Sequence, residues 1–216
     1  PFGLTLGGAT ELSLHCARVV AAAETYMGLV ETGVGLIPAG GGTKEMLLRA
    51  MDAVPGDADP FPYLKEVFSQ IGAAKVSTSA ADARELGYLS PGDIVSMSRD
   101  RQLSIAKQLA LDMAKFGYRP GNPRDDIVVF GRAGFSKMQL AIHLMRQGEY
   151  ISEYDAVIGT HLARVLSGGG EFTAPQKVSE QYLLDLEREA FVSLCGEKKT
   201  LERIQHTLKT GKPLRN

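Results

Sequence analysis

Gly3-Leu4-Thr5-Leu6-Gly7-Gly8-Ala9-Thr10-Glu11-Leu12-Ser13-Leu14 is the stretch on which the fold turns. An apolar strand around Leu4 runs straight into two glycines. A helix from Ala9 to Cys16 follows, with Leu12 and Cys16 four apart on one face. Glycines between a strand and a helix let a ligand approach the backbone closely. Amides at a helix N-terminus favour negative charge. Such a turn suits a phosphate, or the oxyanion of a polarised carbonyl. Glu11 lies on the first helical turn beside those donors. Read alone, it is as readily a surface acid matched to the helix dipole, and the glycines as packing devices.

Arg18 to Ala22 reads as a buried strand and Tyr26 to Gly28 as a second short extended piece. Then comes Gly28-Leu29-Val30-Glu31-Thr32-Gly33-Val34-Gly35-Leu36-Ile37-Pro38-Ala39-Gly40-Gly41-Gly42-Thr43, with a single acid in an apolar, glycine-rich run. Burial raises the pKa of a lone carboxylate, which suits proton transfer near neutral pH. The alternative is a Glu31 turned outward. Gly40 to Gly42 is not a P-loop, because Lys44 follows Thr43 instead of preceding it. Thr43 is expected to cap the next helix. If the strand from Arg18 to Ala22 returns beside the start of the chain, Glu11 and Glu31 converge. Two carboxyls beside an oxyanion site can serve as base and acid on one substrate.

Working outward, residues 52–62 form a turn-rich loop and Tyr63 to Ile71 a helix. Ser79 and Asp82 suggest a capping box for a short helix closed by Gly87. Asp93 to Met97 is a candidate strand. Beyond Ser98 the pattern is mostly helical. Leu103, Ala106, Ala110 and Met113 keep helical spacing up to Gly117, and Ile127 to Phe130 is a short candidate strand. Ser152 with Asp155 caps a helix ended by Gly168. Ser179 opens another, with Leu183, Leu186, Ala190 and Leu194 inside. Thr200 opens the last, with Leu201, Ile204 and Leu208 inside. The expected organisation is an α/β portion over residues 1–97 and a predominantly helical region over 98–216.

Composition narrows the function classes. The chain has 216 residues, 44% of them apolar, enough for a proper core. A net charge of −1 lacks the basic face that nucleic-acid binding needs, so no nucleic-acid partner is expected. No apolar run approaches a membrane span. Cys16 and Cys195 are read as free thiols in a reducing cytoplasm. His15 and Cys16 are adjacent and so cannot face each other on a helix. His143 sits among apolar helix residues, and His161 and His206 have no spaced partner, so no metal site is expected. Ser13 lacks a nucleophile-elbow frame. The basic C-terminus, Lys198 to Arg215, reads as a solvated face or a contact for anionic groups. Met138 and Met145 read as core.

The run from Gly3 to Leu14, Glu31 twenty residues after Glu11, and Ile37-Pro38-Ala39-Gly40-Gly41-Gly42-Thr43 together resemble the enoyl-CoA hydratase (crotonase) family. Ala81-Asp82-Ala83-Arg84-Glu85-Leu86-Gly87-Tyr88-Leu89 resembles a later stretch of that family. The half from Ser98 to Asn216 looks like the end of the long bacterial 3-hydroxyacyl-CoA dehydrogenases of fatty-acid β-oxidation. The resemblance implies an α/β fold, the C-terminal portion of a crotonase-like ββα spiral followed by a helical region. It implies an oxyanion-hole amide at Gly8, a water-activating carboxylate at Glu11 and an α-carbon proton exchanger at Glu31. Gly7, Pro38, Ala39 and Gly40 would border the substrate. The reaction implied is reversible hydration of a trans-2-enoyl-CoA to a 3-hydroxyacyl-CoA in the cytoplasm, with no cofactor beyond the CoA of the substrate.

There are departures. Ala9 and Thr10 replace the usual glycine and cysteine, Val30 replaces a proline, and Ala39 adds a methyl where glycine is usual. The loop from Asp52 to Pro62 interrupts the expected spacing. Opening as it does at Pro1, inside an apolar strand, the chain is expected to be a C-terminal piece. The second oxyanion donor, much of the CoA-binding loop and an NAD-binding dehydrogenase domain would then lie upstream, and the isolated piece would have little activity. Expected partners are an acyl-CoA thioester, the upstream part of the polypeptide and a homo-oligomer. Two other readings share these residues: an enoyl-CoA isomerase using one acid, with Glu11 turned outward, and a non-catalytic docking segment with both carboxylates solvated.

Overall fold

Two parallel strands set the architecture. A computed structural model describes all 216 residues. β1 (Gly3–Leu6) runs into α1 (Gly8–Leu14), then β2 (Val20–Ala22) and β3 (Thr25–Gly28). β1 pairs with β3, in parallel, from Gly3 opposite Thr25 to Leu6 opposite Gly28. The Gly7 amide extends this ladder to the Gly28 carbonyl at 2.8 Å. The strand that returns beside the start of the chain is therefore β3, not the expected segment Arg18 to Ala22. β2 pairs instead with β4 (Ile94–Ser96). A parallel neighbour needs a crossover connection, and α1 with β2 supplies it between β1 and β3.

A 3-10 turn (Glu31–Val34) follows, then α2 (Gly42–Asp52), α3 (Phe61–Gly72) and α4 (Ala80–Glu85). Thr43 does not cap α2. Gly41 holds the N-cap position, and the Thr43 hydroxyl donates to the Pro38 carbonyl from inside the first turn. Ser79 does cap α4, but the Asp82 carboxylate bonds to Thr78 instead of closing a box on Ser79. The remaining elements are α5 (Arg99–Lys115), β5 (Ile127–Val129), α6 (Gly131–Gln147), α7 (Glu153–Leu166), β6 (Gln176–Val178), α8 (Glu180–Cys195) and α9 (Lys198–Thr210). β5 and β6 form an antiparallel pair. The box of Ser152 with Asp155 opens α7 as the sequence suggests.

One apolar cluster runs through both halves of the chain. It joins Met27, Leu47, Leu64 and Ile71 to Ile158, Leu162, Leu183 and Leu194. α5 contributes no buried residue, and Leu103 is 80% exposed, so its spaced apolar positions are not core. In α9 the inward face is Thr200 and Arg203, while Leu201 and Leu208 stand exposed. The Thr200 hydroxyl donates to the Gly35 carbonyl at 2.7 Å, pinning α9 to the segment after Glu31.

Arg203 is 1% exposed and donates to Asp155 at 2.7 Å and Asn216 at 2.9 Å, with its guanidinium 5.1 Å from the Tyr154 ring. Removing one partner of such a pair leaves a charge that has lost its counter-ion. Arg203→Met is expected to cost about 3 kcal/mol of unfolding free energy, measured by urea titration of the chain. A cost below about 0.5 kcal/mol, typical of an exposed pair, would contradict this.

Candidate active site

Glu11 sits on the first turn of α1, and Glu31 lies three residues beyond the end of β3. Because β1 and β3 are parallel and in register, their C-terminal ends lie side by side. The turn after β1 and the segment after β3 therefore emerge together, as ligand-facing segments do in open α/β sheets. A Cβ built at Gly7 would stand 3.1 Å from Glu31 Oε1, and one at Gly8 would stand 4.0 Å from Glu11 Oε2. The two carboxylates thus flank the Gly7–Gly8 turn. Gly8 opens α1, and its amide has no partner among the backbone or side-chain acceptors.

Glu11 is 9% exposed. Its Oε1 accepts the amide hydrogens of Gly40 at 2.8 Å and Gly42 at 2.9 Å. α2 has no side-chain cap of its own, so Glu11 serves its unpaired N-terminal amides from α1. The glycines here make room for side chains. A Cβ at Gly40 would come within 2.6 Å of Glu11 Oε2, and one at Gly42 within 2.7 Å of Oε1. Gly41, at φ +91°, lies under the His15 ring. Glu11 Oε2 has no hydrogen bond to the protein and remains available.

Glu31 differs. Its Oε2 is buried with no hydrogen-bond partner. Burial pushes its pKa up to about 7; the Glu31 and Val30 amides oppose the shift and the Glu11 charge adds to it. Two residues before Glu31, the Leu29 amide donates at 3.5 Å to the hydroxyl of the fully buried Tyr88, which in turn donates to the Lys75 carbonyl at 2.9 Å. Two carboxyls in unlike surroundings beside an unpaired amide can divide the work of base and acid.

Pro38, Ala39 and Gly40 form the segment that leads to the Glu11 contacts; Pro38 is buried and Ala39 half-buried. An apolar cavity of about 400 Å³ opens beside Thr32 and Gly33, between α3, α6 and α7, and neither Glu11 nor Glu31 is among the residues that line it. No group of His, Cys, Asp and Glu is arranged to hold a metal ion. Cys16 and Cys195 are free and exposed. No helix is long and apolar enough to cross a membrane.

The sequence reading missed Glu187. It is fully buried on α8, and its Oε2 accepts from the Gly41 amide at 2.9 Å and its Oε1 from the Lys44 amide. Burial raises its pKa to about 8 against those two amides, and the Glu11 charge pushes the same way. A signal was present: position 187 falls four after Leu183 and three before Ala190, on the apolar face.

No family model matches the chain. It is 46% identical over all 216 residues to a Bacillus subtilis protein named "Probable 3-hydroxyacyl-CoA dehydrogenase", covering 27% of that protein. Over 44 residues it is 54% identical to human mitochondrial methylglutaconyl-CoA hydratase, which is 20% of this chain and 13% of that one. The chain spans about a quarter of the length of the full-length relatives it matches. Among solved structures, an enoyl-CoA hydratase/isomerase from Pseudoalteromonas atlantica superposes with a TM-score of 0.54 at 12% identity, over 99% of this chain and 62% of that one. The chain therefore has the crotonase fold of the enoyl-CoA hydratases, and along its whole length it is similar to one quarter of a bacterial protein named as a 3-hydroxyacyl-CoA dehydrogenase.

Proposed function

We propose that this chain carries the hydratase carboxylates of a β-oxidation enzyme and that the reaction is reversible addition of water to a trans-2-enoyl-CoA. The observation that carries the reading is the pair Glu11 and Glu31 on either side of the Gly7–Gly8 turn, one hydrogen-bonded at Oε1 and the other half-buried with its Oε2 enclosed and unpartnered. The Gly8 amide donates to the thioester oxygen and draws electron density from the β-carbon. Glu11 Oε2 takes a proton from water, and the oxygen bonds to the β-carbon. Glu31 gives its proton to the α-carbon as the enolate collapses, which yields the 3-hydroxyacyl-CoA. The product leaves one carboxyl newly protonated and the other ionised, so a proton exchange with solvent resets the pair. Gly7, Pro38, Ala39 and Gly40 border the thioester and the water.

Hydration itself uses no cofactor. NAD does not fit the Gly7–Gly8 turn, because two carboxylates there repel a pyrophosphate. On this reading NAD serves a dehydrogenase portion outside these 216 residues. The isomerase reading needs an outward Glu11, and the docking reading needs two solvated carboxylates. The burial of Glu11 and the orphaned Glu31 oxygen weigh against both. Residues 1–97 hold both acids, and residues 98–216 support them.

The test is the whole natural polypeptide with crotonyl-CoA, following loss of the enoyl-thioester absorbance and appearance of 3-hydroxybutyryl-CoA. Saturable hydration is expected; no turnover by the whole polypeptide would overturn the reading.

A further inference from the structure

The amides at the start of α2 are divided between two carboxylates from opposite ends of the chain. Gly40 and Gly42 donate to Glu11 Oε1 at 2.8 and 2.9 Å. Gly41, between them, donates to Glu187 Oε2 at 2.9 Å, and Lys44 donates its amide hydrogen to Glu187 Oε1. Successive amides point to opposite sides of the turn, so α1 grips it from one side and α8 from the other.

Glu187 is an expensive way to hold a helix start. It is fully buried, and no cation pairs with it. The nearest candidate, the Lys44 ammonium, goes to Glu45 and Glu180 instead. A buried carboxylate with only two amide donors costs stability compared with an apolar side chain of like volume. The turn needs an external grip, because Gly41 is the N-cap and brings no side chain. Without an acceptor on the α8 side, the Gly41 and Lys44 amides are orphaned, and the turn is free to rotate its Gly40 and Gly42 donors away from Glu11.

We propose that Glu187 is a positioning residue for Glu11: it fixes the Gly40–Lys44 turn, and through that turn the Glu11 carboxylate. The geometry stands by itself; its kinetic consequence rests on the hydratase reading above. A 1 Å error in the aim of a reacting group costs up to about 100-fold in rate, so the loss falls on kcat and not on substrate binding.

The test uses the whole natural polypeptide and its Glu187→Gln, Glu11→Gln and doubly substituted variants. Two readouts are taken: hydration of crotonyl-CoA, and hydrogen–deuterium exchange of the peptide spanning Gly40 to Lys44. In Glu187→Gln the exchange of that peptide is expected to quicken about tenfold or more. Its kcat should fall about 10- to 100-fold, with KM within about twofold. In the Glu11→Gln background, Glu187→Gln should cost nothing further, because there is no longer a base to aim. Glu187→Asp, which keeps an acceptor at shorter reach, should recover part of the loss.

Unchanged exchange at Gly40 to Lys44 in Glu187→Gln overturns the proposal, as does a full multiplicative loss in the double variant. If the wild type hydrates nothing, the hydratase reading fails, and the exchange readout still decides the positioning role. If Glu187→Gln does not fold, Glu187→Met, which keeps the volume and removes both acceptor oxygens, carries both readouts, and wild-type exchange with wild-type kcat there overturns the proposal.

Discussion

Glu31→Gln is expected to lower kcat for enoyl-CoA hydration by about 10²–10⁴-fold, the usual worth of a positioned general acid, with little change in KM. Gln has nearly the same shape and cannot release a proton at neutral pH. The wild-type pH profile follows from the raised pKa of about 7. In the hydration direction Glu31 must enter protonated, so kcat/KM falls as pH rises through about 7. Hydration takes up and releases no net proton, so its equilibrium is independent of pH; the dehydration direction uses the same singly protonated pair, with the proton on Glu11, and its kcat/KM falls over the same range. A kcat/KM for hydration that stays flat through about pH 7 would rule out Glu31 as the group that exchanges the α-proton.

The same shift also makes stability fall as pH rises. A carboxyl whose folded pKa lies above its unfolded value of 4.5 binds its proton more tightly in the native state. Its contribution is therefore lost as pH rises from about 4.5 to about 7, and above that the ionised, orphaned group is a liability. Glu31→Gln should match the wild type in stability at pH 4. At pH 8 it should be the more stable by about 1–2 kcal/mol, discounting for the side chain's partial exposure. Urea unfolding at the two pH values measures it. A residue kept at the expense of stability is what a reacting group looks like.

Glu11→Gln is expected to be as damaging to kcat, again about 10²–10⁴-fold, but for a different reason and with the site intact. Both amides that hold Glu11, from Gly40 and Gly42, donate to the single oxygen Oε1. A glutamine can present its carbonyl oxygen there and its amide nitrogen in place of Oε2. The turn stays gripped, and only the atom that would accept the water proton changes. Exchange at Gly40 to Lys44 should therefore be near wild type in Glu11→Gln although activity is lost, the converse of the expectation for Glu187→Gln. If Glu11→Gln retains wild-type kcat, Glu11 is a cap for α2 and nothing more.

The elements around the site were largely legible. The apolar run ending at Gly7-Gly8 is a strand entering a helix, and Glu11 is inward as the two-acid reading requires. The strand partner was not legible. Val20–Ala22 and Thr25–Gly28 are both short and apolar, separated by two residues, and they join different sheets. Local pattern gives both the same signal, and only the crossover through α1 and β2 decides which lies beside β1. Leu103, Leu201 and Leu208 keep helical spacing and are nonetheless exposed. Spacing reports a face on a helix; it does not report what covers that face.

Two acids, Glu11 and Glu31, twenty residues apart in glycine-rich apolar frames, could be singled out from the order of residues alone. So could the helices of the second half and their caps at Ser152 and Ser179. That the acids flank one turn depends on β1 and β3 pairing in parallel and in register. That a third acid grips the same turn depends on a contact between Gly41 and Glu187, 146 residues apart. Propensity, capping and spacing act over a few residues along the chain. Burial, and with it the pKa of a carboxylate and the donors it meets, is set by whichever distant element packs over it, and that was decided only when α8 closed on the start of α2.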